Sequence, residues 1–197
     1  MNKYKRVLIA THNDGKLEEF KTYLSPYFED IISLKTLDDY DEVVEDAKTY
    51  EGNALKKAMY FHQKYHMPTI SDDSGLEIET LDGYPGIFSA RIGENDVERN
   101  QIVLAKLGDE TNRAAQMVSV IALVDSDVKV FRGTIQGTIT SKSIGTQGFG
   151  YDSIFYIDSL KKTFGQVSRK EKLTISHRGI ALKKLMNRLE GENDESN

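Results

Sequence analysis

The apolar run Val7-Leu8-Ile9-Ala10, followed at once by the polar loop Thr11-His12-Asn13-Asp14-Gly15, constrains the fold more than any other stretch. Continuous β-branched and aliphatic residues bounded by polar ones suit a strand in a sheet covered on both faces. From Lys16 onward, Leu17, Phe20 and Leu24 recur at helical spacing until Ser25-Pro26 ends the pattern. Strand, short polar loop and amphipathic helix, in that order, predict an α/β chain.

The later segments extend this pattern. Residues 30–34 read as a second strand, and 38–46 as an acidic, exposed, irregular loop. Residues 53–65 favour a helix with Ala54, Leu55, Ala58, Met59 and Phe61 on its apolar face. A short strand, 69–71, leads into an acidic turn, Asp72-Asp73-Ser74-Gly75, and Leu76 and Ile78 then alternate with glutamates as in a half-exposed strand. Asn95 or Asp96 caps a predicted helix that ends at Leu107-Gly108. Residues 116–124 and 128–140 predict a long β-hairpin, where a second lobe is expected to begin. A strand over 154–157, a capping box from Ser168 to Glu171 and a helix over 176–189 complete the pattern. Residues 1–190 are expected to form one domain of two lobes, with 191–197 an acidic, disordered tail.

Composition excludes several classes of function. A formal net charge of -5 argues against coating nucleic acid, which needs a surplus of Lys and Arg on one face. The absence of cysteine removes disulfides, thiolate metal sites and cysteine nucleophiles. Residues 7–10 are too short an apolar run for a signal-peptide core, and no run reaches membrane-spanning length, so a cytoplasmic protein is expected.

Four segments can carry chemistry. The loop Thr11 to Lys16, between a buried strand and a helix, can cradle a phosphate on backbone N–H groups with Lys16 adding charge, or serve as a plain strand-to-helix turn. It is not a Walker loop, because Ala10 and Leu17 stand where glycine and Ser or Thr are required. Asp72 and Asp73 can hold Mg²⁺, with Glu45 completing the shell if its loop folds back, or they can sit in an ordinary Asp-Ser-Gly turn. Gly148-Phe149-Gly150-Tyr151-Asp152 offers aromatic faces for a purine and a carboxylate for its edge, or two core aromatics beside a bulge. Lys172 and Ser176-His177-Arg178-Gly179 bring donors that favour a keto oxygen over an amino group.

In this order the four segments, with Pro85-Gly86-Ile87-Phe88-Ser89-Ala90-Arg91 between them, resemble the inosine/xanthosine triphosphate pyrophosphatase family over nearly the whole chain. The resemblance implies an elongated mixed central sheet with flanking helices and two lobes with the site in the cleft between them. It also implies a homodimer, a Mg²⁺ requirement and hydrolysis of non-standard purine nucleoside triphosphates to monophosphate and pyrophosphate. By position, Thr11, His12, Asn13, Asp14, Gly15 and Lys16 would hold the triphosphate, Lys57 would reach the phosphates and Ser74 would touch substrate. Asp73 would be proton acceptor and metal ligand, supported by Asp72 and Glu45. Phe149, Gly150, Tyr151, Asp152, Lys172, His177 and Arg178 would form the base pocket. Two positions depart from the family pattern. Gly52 stands where a glutamate is expected, so that a supporting carboxylate is either missing or replaced by Glu51, and Ser153 stands where proline is common. A related pyrophosphatase with another base preference, or a binding module without turnover, are the competing functional readings.

Overall fold

The computed structural model describes residues 4–194. Among these, seven strands form one open sheet in the order β2-β1-β3-β4-β5-β6-β7. The strands are β1 (Tyr4–Ile9), β2 (Phe28–Ser33), β3 (Thr69–Ile78), β4 (Ala114–Val124), β5 (Val128–Ile139), β6 (Phe155–Ile157) and β7 (Lys162–Thr163). The helices are α1 (Asp14–Leu24), α2 (Tyr50–Tyr65), α3 (Asp96–Leu107), α4 (Arg169–Ile175) and α5 (His177–Asp194). β1 runs parallel to both β2 and β3, whereas β6 is antiparallel to β5 and β7, so the sheet is mixed.

The chain divides into two compact units. The first holds Met1–Asp73, Val120–Arg132 and Ile180–Asn197, and the second Ser74–Ser119 and Gly133–Gly179. The second unit therefore begins inside β3 rather than at the β4–β5 hairpin. The physical reason is strand length: β3, β4 and β5 are each long enough to contribute residues to both units.

In the first unit β1 is covered on both faces, and its side chains alternate. Val7 and Ile9 pack with Leu17, Phe20 and Leu24 of α1 and Leu182 and Leu185 of α5. Leu8 and Ala10 join Leu34 and Phe61 on the other face. This explains why the run 7–10 shows no polar alternation. The buried face of α2 is Tyr50, Asn53, Ala54, Ala58 and Phe61, while Met59, expected on it, is exposed.

The second unit packs Leu76 and Ile78 of β3, Val103 and Leu107 of α3 and Phe155 and Ile157 of β6 into one core. Phe155 and Phe164 stack with ring centroids 5.7 Å apart. Asn95 caps α3 by accepting from the Glu98 N–H, Gly108 closes it, and Ser168 caps α4.

Three further local expectations differ from the structure. The acidic segment Asp72-Asp73-Ser74-Gly75 is not a turn but the middle of the ten-residue strand β3. Helix α5 continues past Leu189 to Asp194, so 191–194 are helical, and 195–197 lie outside the described residues. The loop after β2 is not simply exposed, because Asp39 is buried, with Lys64 and Tyr65 hydrogen bonded to it.

Candidate active site

Period-two alternation along β3 decides what its two aspartates can do. Ile70 lies in the cluster with α1 and α5, and Asp72, two residues on, points the same way, with the Lys16 ammonium 3.1 Å from its carboxylate. Ser71 and Asp73 point to the α2 face: the Ser71 hydroxyl donates to the Ala54 carbonyl at 2.5 Å, and the Asn53 amide donates to Asp73 Oδ2 at 3.0 Å. The two carboxylates therefore diverge. The expected grouping of Asp72, Asp73 and Glu45 is not assembled, and among the described residues no three His, Asp or Glu form a group that could hold a metal.

Asp73 sits among groups that act on its charge in opposite senses. It is 7% exposed, and burial pushes its carboxyl up to about 6. The hydrogen bond from Asn53 and the charges of Lys16 and Lys57 pull it down, while the charge of Glu45 pushes it up. Lys57, one helical turn after Asn53 on α2, reaches Glu45 at 2.5 Å. One helix face thus delivers the donor that holds Asp73 and the cation that draws Glu45 in. Asn53 was not anticipated as a site residue, and its i,i+4 spacing from Lys57 was the available signal.

The loop from Thr11 leads directly into α1. The Asn13 side-chain oxygen caps the helix by accepting from the Lys16 N–H at 2.9 Å, and the Thr11 hydroxyl accepts from the Asn13 N–H at 3.2 Å. β1 ends at Ile9, paired with Ile70, so β3 carries Asp72 and Asp73 beyond the end of β1 on the side where this loop lies. Ligands of parallel sheets bind at this carboxyl end of the strands. Gly15 belongs to the first turn of α1. His12 and Asp14 are exposed: His12 Nε2 lies 3.2 Å from the Asp41 carbonyl, and Asp14 is 3.9 Å from Lys35.

In the second unit the structure gathers a separate cluster. Lys172 and Asp152 form a buried ion pair at 2.6 Å, and Asp152 also accepts from the Phe149 N–H at 2.9 Å. The Lys172 ammonium sits 4.5 Å from the Phe149 ring centroid and the Arg178 guanidinium 5.7 Å from it. Arg178, 1% exposed, donates to the Ser74 hydroxyl at 3.0 Å, and His177 is buried beside it in the chain. Gly148 permits the tight loop: its φ is +77°, and a Cβ would come within 2.0 Å of Asp152 Oδ2. Gly150 also has positive φ. Tyr151 departs from the aromatic role expected of it. Its ring belongs to the core and its hydroxyl donates to the Ser89 carbonyl at 2.7 Å, so Phe149 is the aromatic left facing the cations.

Both departures from the family pattern have local causes. A Cβ on Gly52 would lie 2.7 Å from the Ala47 Cβ, so the acidic loop packs where a side chain would begin. Glu51 does not take its place, since it pairs with Arg132 at 2.8 Å. The Ser153 hydroxyl accepts from Asn100 at 3.1 Å.

The protein is thus an α/β protein with an open mixed sheet, a cation-lined acidic cluster at the strand ends of its first unit and a cluster of buried donors around an aromatic ring in its second. The chain belongs to the Ham1 family, whose model matches residues 7–188. It is 43% identical to the dITP/XTP pyrophosphatase of Staphylococcus aureus strain N315 over 95% of this chain and 98% of that one. It is 42% identical to the dITP/XTP pyrophosphatase of Flavobacterium psychrophilum over 92% and 97%. Among solved structures it resembles the Staphylococcus aureus Ham1 protein (TM-score 0.85, 41% identity, 95% of this chain and 100% of that chain). It also resembles a HAM1 protein from Coxiella burnetii (TM-score 0.86, 33% identity, 95% and 100%).

Proposed function

We propose that this chain hydrolyses non-standard purine nucleoside triphosphates, those of inosine, deoxyinosine and xanthosine, to the monophosphate and pyrophosphate. Its relatives named dITP/XTP pyrophosphatase support the substrate class. The observation that carries the reaction is Asp73: a buried carboxylate drawn toward neutrality, anchored by Asn53 and flanked by Lys16 and Lys57. A carboxyl group titrating near 6 is matched to accepting a proton at neutral pH. Asp73 would orient and deprotonate the water that attacks the α-phosphorus, and the proton would come to rest on its carboxylate. Lys16 and Lys57 would neutralise the phosphates, and the loop from Thr11 would supply backbone N–H groups.

Asp73 and Glu45 suit a hard divalent cation, since both offer only carboxylate oxygen and the charge of Glu45 disfavours that of Asp73. Mg²⁺ held there would supply neutralisation of charge on the phosphates. Asp72, engaged by Lys16, would support the site through that lysine.

In the second unit Phe149 would stack on the purine, and the Lys172 and Arg178 donors would meet the O6 keto oxygen. Adenine's amino group would present donor to donor there and leave buried groups unpaired. Asp73 and Ser74 are consecutive in β3, so a single strand carries the proton acceptor and the hydroxyl bonded to Arg178. A homodimer working in the cytoplasm is part of the same reading.

Product analysis with inosine, xanthosine, guanosine and adenosine triphosphates and Mg²⁺ tests it. Equimolar monophosphate and pyrophosphate from the first two are expected, and release of inorganic phosphate instead would place the cleaved bond elsewhere.

A further inference from the structure

We propose that Asp96 and Asn100 of α3 are positioning residues that set base recognition by gripping the two peptide groups that flank the Gly150 Cα. The proposal rests on the nucleotide reading above. The two residues stand four apart, hence on one helix face. Asp96 Oδ2 accepts from the Gly150 N–H at 2.6 Å, and Asn100 Nδ2 donates to the Gly150 carbonyl at 3.2 Å. A carbonyl can only accept, so this contact fixes which way the Asn100 amide faces. The same amide nitrogen reaches the Ser153 hydroxyl at 3.1 Å. A proline at 153 would offer no such acceptor, so this chain's serine completes the grip.

Each half of the grip is held from behind. Asp96 pairs with Arg99 at 2.5 Å, and Arg99 donates to the Gly93 carbonyl at 2.9 Å. Asn100 is only 5% exposed. The gripped residue needs it, because Gly150 has a φ of +63° and glycine loses more freedom on ordering than any other residue. Its peptide bond joins it to Phe149, the ring that faces Lys172 and Arg178. Turning that peptide would swing the ring off the two cations. A charge-assisted bond to the peptide before Gly150 and a neutral one to the peptide after it restrain both soft dihedrals of this glycine.

The test uses Asn100→Asp, which keeps shape but sets a carboxylate oxygen against the Gly150 carbonyl. Asp96→Ala removes the other half, and Asp96→Asn retains an acceptor. Steady-state kinetics with inosine and adenosine triphosphates are compared with calorimetric binding of inorganic tripolyphosphate, and amide exchange is followed over 146–153. Asn100→Asp and Asp96→Ala are each expected to raise KM for inosine triphosphate roughly tenfold, the scale of one lost buried hydrogen bond, with kcat little changed. The preference over adenosine triphosphate should fall in parallel, tripolyphosphate binding should hold, exchange should quicken over 146–153, and Asp96→Asn, which keeps an acceptor but loses the charge, should fall between Asp96→Ala and wild type. Unchanged KM and exchange in both disruptive variants, or an equal loss of tripolyphosphate binding, would overturn the proposal. A wild-type protein that ignores inosine triphosphate would instead refute the nucleotide reading. Exchange over 146–153 then decides the grip alone: faster in both disruptive variants sustains it, unchanged sinks it.

Discussion

The Asn53 amide donates to Asp73 Oδ2 at 3.0 Å, from the buried face of α2 to a strand residue twenty positions later. That bond stabilises the charged form of a carboxylate that burial disfavours, and the balance leaves Asp73 titrating near 6. Proton-accepting power at neutral pH is the consequence.

Replacing Asp73 with Asn should lower kcat for inosine triphosphate by about 10²–10⁴-fold, the usual range for a lost general base, while the fold persists. Near-normal turnover in a pyrophosphate-release assay would remove Asp73 from its assigned role.

The same shift makes a stability prediction. The carboxyl titrates at about 6 when folded against 3.8 for an ordinary aspartate, so the folded state binds the extra proton between those limits. Its contribution is therefore complete below 3.8 and lost as pH rises through 6, a difference of about 3 kcal/mol at most. Urea unfolding in chelator at pH 5 and pH 7.5 should show this slope in the wild type and a flatter one in Asp73→Asn, which cannot ionise. Equal slopes would contradict the burial argument.

Lys172→Met should destabilise the protein by about 3–5 kcal/mol, because it leaves the Asp152 carboxylate buried without its cation. Replacing both partners, Lys172→Met with Asp152→Leu, should recover part of that stability but none of the preference for keto purines. Chemical denaturation and a substrate panel read the two effects separately.

Gly52→Ala should cost about 1–3 kcal/mol despite alanine's better helix propensity, since its Cβ would press on that of Ala47 at 2.7 Å. Combining it with Ala47→Gly should relieve the clash, and a double-mutant cycle on thermal unfolding would measure the coupling. Additive effects would mean the loop yields without strain.

Much of this architecture was legible in the chain. The run 7–10 announced a doubly covered strand because burial on both faces leaves no polar alternation, and the caps Asn95 and Ser168 marked their helices correctly. The mixed sheet expected from the family resemblance is present. The acidic segment misled because Asp, Ser and Gly favour turns locally. Nothing in that local preference reveals that Lys16 and Asn53 partner the two carboxylates within an extended strand.

Spacing and residue type along the chain are enough to define the α/β class, the polar segments and the family. Packing of the folded chain is what turns Asp72 and Asp73 opposite ways, puts Tyr151 in the core and leaves Phe149 out of it, and brings Asp96 and Asn100 to Gly150. These depend on which elements cover each face of a strand and which helix lies beside a loop. Such contacts join residues far apart in the chain, and no local pattern encodes them.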